Sequence, residues 1–399
     1  MKKILFVINT MGRAGAEVAL LELFRKLDKK EYDISLYVLM GQGEMIHQIP
    51  PHVKVRNTVF NSSSVLAEEG RWNLLKTVVK AFFKNGKYIK KCGYIVSNLL
   101  PMMKNRKIQK DKLLWRVVSD GTPRFEEEFD LSVAWLEGGS AYYVSDWVKA
   151  KKKVAFIHID YKKAGYTRKM DRGCWNHFDR IFAVSEDARN KFLEVYPEHQ
   201  DKVMVFPNII NQEYIRSRAK EPGGFSDNYG GIRILTVGRL VYQKGYDVAI
   251  KAMKRLKDLG YQVRWYVLGE GEQRKNLEKK IEALGLENDF LLLGTVENPY
   301  PYYAQSDLYV HAVRFEGQGI AVLEAQTLGC PVIVSDFCSS REQIENGKYG
   351  ISCEFTPESI AACIERLLKD EGLRKKLGQM ALVKEVPKGQ EKIFSELFE

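Results

Sequence analysis

Two glutamates eight residues apart frame the stretch of this sequence with the most chemistry in it, Glu316-Gly317-Gln318-Gly319-Ile320-Ala321-Val322-Leu323-Glu324. It falls where a strand is expected to end and a helix to begin. Gly317 and Gly319 let the backbone come close to a ligand, and the first N–H groups of the helix suit an anion. Glu316 precedes the helix and Glu324 lies about one turn inside it. Each carboxylate can accept two hydroxyls, which suits a polyhydroxylated ligand. Either glutamate alone reads as an ordinary surface residue; the full constellation is harder to account for that way.

Such residues need elements to hold them at strand ends. An opening strand over 3–9, then Gly12 and Gly15, precedes a periodic helix over 17–27, and 33–39 alternates as a second strand. Strands resume at 131–135, 153–157, 180–184 and 203–206, with helices between them. A loop of turn formers over 221–231 separates the halves, and 211–231 reads as a linker. The pattern then restarts, with strands at 233–237, 262–268, 290–293, 308–313 and 331–335 and helices at 246–259, 320–328 and 357–368. Alternating strands and crossovers mean parallel sheets covered on both faces. The expectation is two α/β domains, 1–210 and 232–378, with a crevice between them. A helical tail over 379–399 is expected to return to the first domain.

At 399 residues, 45% hydrophobic and 28% charged, the chain has the size and balance of a two-domain globular protein. The apolar run after Met1-Lys2-Lys3 stops at Asn9-Thr10, too short for a signal sequence, and no stretch approaches the ~18 apolar residues of a membrane span. Cys92, Cys174, Cys330, Cys338, Cys353 and Cys363 form no C-x-x-C pair and read as reduced, cytosolic thiols. No metal site is expected.

Net charge is +11, and one segment carries all of it. Residues 71–119 hold thirteen cations against a single carboxylate, Asp111, leaving the remainder near neutral. Leu75, Val78, Val79, Phe82 and Phe83 recur at helical spacing, with Lys76, Lys80, Lys84 and Lys87 largely on another face. A basic amphipathic helix with aromatics suits an anionic membrane surface, so Lys76, Lys80, Phe82, Phe83, Lys84, Lys87, Lys90 and Lys91 are membrane-docking candidates. The competing readings are a core-facing helix with a basic solvated side, and nucleic-acid binding. The latter ranks lower, because neither zinc-finger spacing nor an RNA-binding aromatic motif accompanies the charge.

Glu316 to Glu324 resembles the E-x7-E signature of retaining glycosyltransferase family 4, whose GT-B fold is two Rossmann-like domains with parallel sheets facing each other across a cleft. Val237-Gly238-Arg239-Leu240 with Lys244-Gly245-Tyr246-Asp247 resembles the family's G-R…K-G segment, whose Arg and Lys clamp the donor diphosphate. Leu268-Gly269-Glu270-Gly271, Leu293-Gly294, Asp307 and Gly329-Cys330-Pro331-Val332-Ile333 fall at similar places. In the first half, Ala14-Gly15-Ala16-Glu17 resembles the G-G-A-E loop, His158 a histidine close to the transferred sugar, and Pro207-Asn208-Ile209 the P-N-G turn. Ala14 and Ile209 replace usual glycines and Gln318 a commonly apolar residue, which hints at a divergent substrate.

The resemblance implies a retaining hexosyltransferase. Gly15, Gly238, Arg239, Lys244, Gly269, Gly317, Gln318, Gly319, Ile320 and Glu324 would bind a nucleotide-diphosphate sugar, with Glu324 on the ribose. Glu316, Arg239, Lys244 and His158 would act at the reacting centre, and Gly317 to Gly319 would offer N–H groups. Since no Asp-x-Asp occurs, cationic side chains would replace a metal on the diphosphate, and no cofactor is expected. If the basic insert faces the cytoplasmic side of a membrane, the acceptor is a lipid-linked glycan in surface polysaccharide or glycolipid synthesis. A sugar-nucleotide epimerase or phosphorylase on the same fold, or a non-catalytic binding protein, are the rivals.

Overall fold

The computed structural model describes residues 1–86, 88–104, 110–337 and 339–398. Lys87 and Cys338, named above, lie outside them, as do Arg106 and Lys107 of the thirteen cations over 71–119. The chain divides into two compact units, Met1–Ile209 with Lys388–Glu399, and Ile210–Pro387.

In the first unit, strands β1 (Lys2–Ile8), β2 (Tyr32–Val38), β3 (Lys54–Val55), β4 (Glu128–Ala134), β5 (Lys149–Ile157), β6 (Arg180–Ala183) and β7 (Val203–Val205) form one sheet in the order 3-2-1-4-5-6-7. In the second, β8 (Ile232–Val237), β9 (Val263–Leu268), β10 (Phe290–Gly294), β11 (Leu308–His311), β12 (Val332–Ser335) and β13 (Ile351–Cys353) run in the order 10-9-8-11-12-13. All pairings between these strands are parallel, with Ile4 of β1 beside Ile34 on one side and Leu131 on the other. Parallel strands buried on both faces need unbroken apolar runs, and Ile4 to Ile8 are fully buried. These are the two doubly wound α/β sheets that the resemblance implied. Each order reverses once, between β1 and β4 and between β8 and β11. Loops leaving neighbouring strands in opposite directions open a crevice at such a point.

Two segments belong elsewhere than the sequence suggests. The stretch read as a linker contains the helix Gln212–Arg218, capped by Asn211 and tied to the second unit by Arg216 Nη2 donating to the Leu382 carbonyl at 2.9 Å. Asp227, in the turn-rich loop, accepts from Arg264 at 2.8 Å and from Tyr266 at 2.5 Å. Residues 379–387 also stay with the second unit, and the tail that packs on the first begins at Lys388.

The basic segment forms the helices Glu68–Phe83, Tyr88–Lys104 and Lys110–Gly121. The first of these packs through its smallest residues. Gly70 and Ala81 are buried, and Gly121 lies so close to the Ala81 backbone that a Cβ would collide with it.

Candidate functional site

Beyond β8, Gly238 donates its N–H to the Leu268 carbonyl at 2.9 Å. This brings the loops after β8 and β9 together at Gly269, whose φ of +153° disfavours a side chain and where a Cβ would strike the Gly238 carbonyl. Gly269 thus has a packing reason that needs no ligand. Arg239 follows, half-buried, its guanidinium without hydrogen bond or ion pair among the described residues.

A short turn, Tyr242–Lys244, leads through Gly245 (φ +65°) into the helix Tyr246–Asp258. Arg314 pins that helix's first turn to the loop after β11 with a bidentate pair to Asp247 at 2.9 and 2.7 Å. Gln243 Nε2 donates to the Phe315 carbonyl at 2.9 Å. These ties bring Lys244 onto Glu316 as a short ion pair, its two side chains 14% and 15% exposed. His311, at the end of β11, holds its Nε2 3.7 Å from the same Glu316 oxygen. Burial alone would raise the Glu316 carboxyl, but the Lys244 ammonium, with His311 behind it, holds it down at about 2. Burial keeps His311 below its usual range. Lys244 is therefore already neutralised by Glu316, whereas Arg239 has no such partner among the described residues.

The glycine loop departs from expectation at Gly319. Its N–H is spent on Gln343 Oε1 at 3.1 Å, and its carbonyl accepts from Gln343 Nε2 at 2.9 Å. It therefore offers a ligand no donor. Gly317 is buried and Gln318 half-buried in the same loop. In the helix Ile320–Thr327, Val322 and Leu323 donate to the Gly319 carbonyl, and the N–H groups of Ile320 and Ala321 meet no acceptor among the described residues. Glu324 points inward, not to solvent. Its two oxygens accept from Tyr300 at 3.3 Å and Tyr303 at 3.0 Å. Burial raises its carboxyl to about 7, against the pull of the two tyrosine donors.

In the first unit, three strand ends converge. His158, after β5, donates its backbone N–H to Glu137 Oε2 at 3.0 Å. Glu137, after β4, is buried, and its carbonyl accepts from Asn9, after β1, at 3.3 Å. Asn9 Oδ1 in turn accepts from Ser140 at 2.8 Å. The His158 ring lies 5.3 Å from Trp135 and 6.0 Å from Phe156. Its Nε2 is buried without a hydrogen-bond partner among the described residues, and burial holds the ring down at about 3, so it is neutral. Gly15 is the first residue of the helix Gly15–Lys26. Sequence reasoning missed Asn9, Glu137, His311 and Gln343. The first three sit at strand ends, and that position was the available signal.

Of the membrane-docking candidates, Lys76, Lys80, Phe83, Lys84 and Lys90 are exposed and Phe82 is half-buried. Lys91 is not a surface residue: it is 2% exposed, and its Nζ donates to the carbonyls of Ala81 at 2.6 Å, Phe82 at 3.2 Å and Lys84 at 3.0 Å. An ammonium there caps the carbonyl end of the helix Glu68–Phe83. Among the described residues, no group of three or more His, Cys, Asp or Glu could hold a metal, and no helix is long and apolar enough to cross a membrane.

Residues 220–382 match the family model of glycosyl transferases group 1. Over 199 residues the chain is 33% identical to an N-acetylgalactosamine-N,N'-diacetylbacillosaminyl-diphospho-undecaprenol 4-alpha-N-acetylgalactosaminyltransferase of Campylobacter jejuni, covering 49% of this chain and 53% of that one. It is 23% identical over 392 residues to a poly(glycerol-phosphate) alpha-glucosyltransferase of Bacillus subtilis, covering 90% and 56%. The chain spans about half the length of the curated relatives it matches. Among solved structures, Anabaena HepE in complex with UDP-glucose superposes with a TM-score of 0.67 at 17% identity over 100% of this chain and 96% of that one. A mutant of S. aureus TarM with fondaparinux, alpha-GlcNAc-glycerol and UDP gives 0.67 at 14% over the whole of both. At those identities the likeness establishes the fold.

Proposed function

We infer, from the match of residues 220–382 to the family model of glycosyl transferases group 1, that this chain transfers a sugar from a nucleoside-diphosphate sugar to an acceptor. The observation that carries the reading is the Arg239 guanidinium just beyond β8, unpaired among the described residues; β8 adjoins β11, whose following loop carries Glu316, the partner of Lys244. A diphosphate needs a planar fork of donors, which Arg239 supplies, and Lys244 adds an N–H donor while it stays paired with Glu316.

As the bond to the diphosphate breaks, the leaving oxygens gain charge. Arg239, Lys244 and the N–H groups of Ile320 and Ala321 stabilise that charge where it forms, without a metal. Glu316, held ionised by Lys244, accepts sugar hydroxyls and faces the oxocarbenium character on the other side of the breaking bond. Glu324 accepts ribose hydroxyls through the lone pairs its tyrosines leave. His158, neutral, donates or accepts one hydrogen bond to a sugar hydroxyl through Nε2. Retention of configuration follows from the E-x7-E resemblance. The UDP complexes of the structural neighbours support a nucleotide-sugar donor. The diphospho-undecaprenol in one relative's name supports a lipid-linked glycan acceptor.

The test is release of nucleoside diphosphate from a panel of UDP-, GDP- and ADP-sugars, with and without membrane lipid extract. One donor should turn over, faster with extract and unchanged by chelator. Glu316→Gln should lower kcat on the order of 100-fold. No turnover of any donor would remove the transferase reading, and activity restored only by Mg²⁺ or Mn²⁺ after chelation would remove metal independence.

A further inference from the structure

The helices Glu68–Phe83 and Tyr88–Lys104 each have one face already packed against the rest of the first unit. In the first helix that face is Gly70 and Ala81. In the second it is Lys91, Tyr94, Asn98 and Met102, all buried at helical spacing, with the Tyr94 hydroxyl 3.5 Å from the Met170 carbonyl. The internal demand for apolar surface is met. Yet each helix carries a second apolar stripe that points to solvent. Trp72, Leu75, Val79 and Phe83 recur every three or four residues, the outermost being Phe83 at 68% exposed. Val96, Leu100 and Met103 do the same, and Ile89 lies two turns before Val96 on that side, with Ile89 at 76% and Leu100 at 62% exposed. Scattered apolar residues are normal on a surface, whereas exposed apolar stripes on two consecutive helices mark a contact face.

The charge beside the stripes identifies the occupant. Between Glu69 and Asp111 there is no acidic residue at all, and Arg71, Lys76, Lys80, Lys84 and Lys90 are exposed. A second copy of this chain would bring like charges together. A nucleic acid would use the lysines and leave Phe83, Ile89 and Leu100 in water. Apolar side chains ringed by uncompensated cations fit a boundary that is hydrocarbon inside and negative outside.

We propose that the paired outer stripes of these two helices form a docking face for an anionic lipid bilayer, with Phe83, Ile89 and Leu100 entering below the headgroups. This rests on the transferase reading for its purpose, since a lipid-linked acceptor lies in a membrane. Lys91 takes no part, being the internal cap that joins the two helices.

The experiment is sedimentation of the full chain with vesicles of phosphatidylcholine alone, or with roughly one part in three phosphatidylglycerol. Wild type should bind the anionic vesicles at least tenfold more tightly, and salt should weaken that binding. Val79→Glu with Leu100→Glu, and separately Lys76→Glu with Lys80→Glu, should each lose tenfold or more while the thermal unfolding transition stays in place. All four positions are exposed, so these variants fold. Wild type left in the supernatant, both variants binding like wild type, duplex DNA competing with the vesicles for the protein, or the stripes buried in a dimer in solution would each overturn the proposal. Donor turnover, measured on the same samples, separates the two readings: vesicle binding without turnover leaves the docking face standing and removes the transferase.

Discussion

Glu316 and Glu324 begin and end one nine-residue motif, and their surroundings drive them apart. Lys244 holds Glu316 at about 2, while burial against Tyr300 and Tyr303 lifts Glu324 to about 7. A carboxylate accepts two hydroxyls, and its protonated form loses one of those roles, so donor binding through Glu324 should follow its ionisation. Affinity for UDP-glucose, whose diphosphate does not titrate in this range, should rise as pH passes from 6 to 8. It should be flat over the same range in Glu324→Gln, as isothermal titration would read. Burial holds His158 at about 3, so it contributes no step there, and it lowers His311 as well. Glu316 has the opposite linkage. Its folded value lies below the ordinary 4.5, so its stabilisation is present above that pH and is lost as pH falls towards about 2. The whole of it amounts to about 3 kcal/mol. Replacing the pair, Glu316→Gln with Lys244→Met, should remove roughly 2 kcal/mol of the acid sensitivity between pH 7 and pH 3, read from urea unfolding.

The loop that carries Glu316 is set by a side chain from another element. Gln343, in the helix Ser340–Ile344, grips Gly319 by both its N–H and its carbonyl. The Gln343 carbonyl is gripped in turn by Gln326 Nε2 at 3.1 Å and by the buried Lys384 ammonium, which burial lowers to about 8. Gln343→Leu would leave the Gly319 N–H unpaired inside the protein, at roughly 1–3 kcal/mol, and take one donor from its carbonyl, which Val322 and Leu323 still reach. The loop should shift and kcat/KM for the donor should fall tenfold or more, while Gln343→Glu, which keeps one of the two bonds, falls less. An unchanged kcat/KM in Gln343→Leu would show that the loop holds itself. Contacts of this kind explain what the sequence made legible and what it hid. Apolar runs such as Ile4 to Ile8 announce a buried parallel strand, and the glutamates with their glycines announce a loop-to-helix site, because both signals are local. β3 is two exposed residues and β13 only three, too short to carry a pattern. Gln343, His311, Glu137 and Asn9 matter through partners 5 to 131 residues away, a relation no local period records. The basic helix was legible as amphipathic, but which face turns inward was decided by Gly70, Gly121 and Ala81, not by its apolar stripe. The same limit made Lys91 look like a surface cation.

At the scale of the molecule, the second unit is inserted into the first. The chain leaves the first unit after Ile209 and returns to it at Lys388. The return is held by aromatic packing. Phe394, on the helix Gln390–Ser395, is fully buried, stacked 5.7 Å from Phe6 on the central strand β1 and 6.4 Å from Tyr32. Phe398 adds a second ring 5.4 Å from Tyr32, with the Lys2 ammonium 5.2 Å above its face. The first unit's core is therefore closed by the last residues of the chain, whereas the second unit has its own core around Ile234, Trp265, Val267 and Val310. Phe394→Ala should cost the first unit roughly 3–5 kcal/mol and leave the second as it was. Calorimetry should then show one transition moved down and another in place, the second still raised by UDP-glucose, because a ligand stabilises only the unit that binds it. If the whole unfolding envelope moved together, the units would melt as one. If donor binding vanished with Phe394, the first unit would be contributing to the nucleotide site, and Arg239, Glu316 and Glu324 would not suffice to hold the donor.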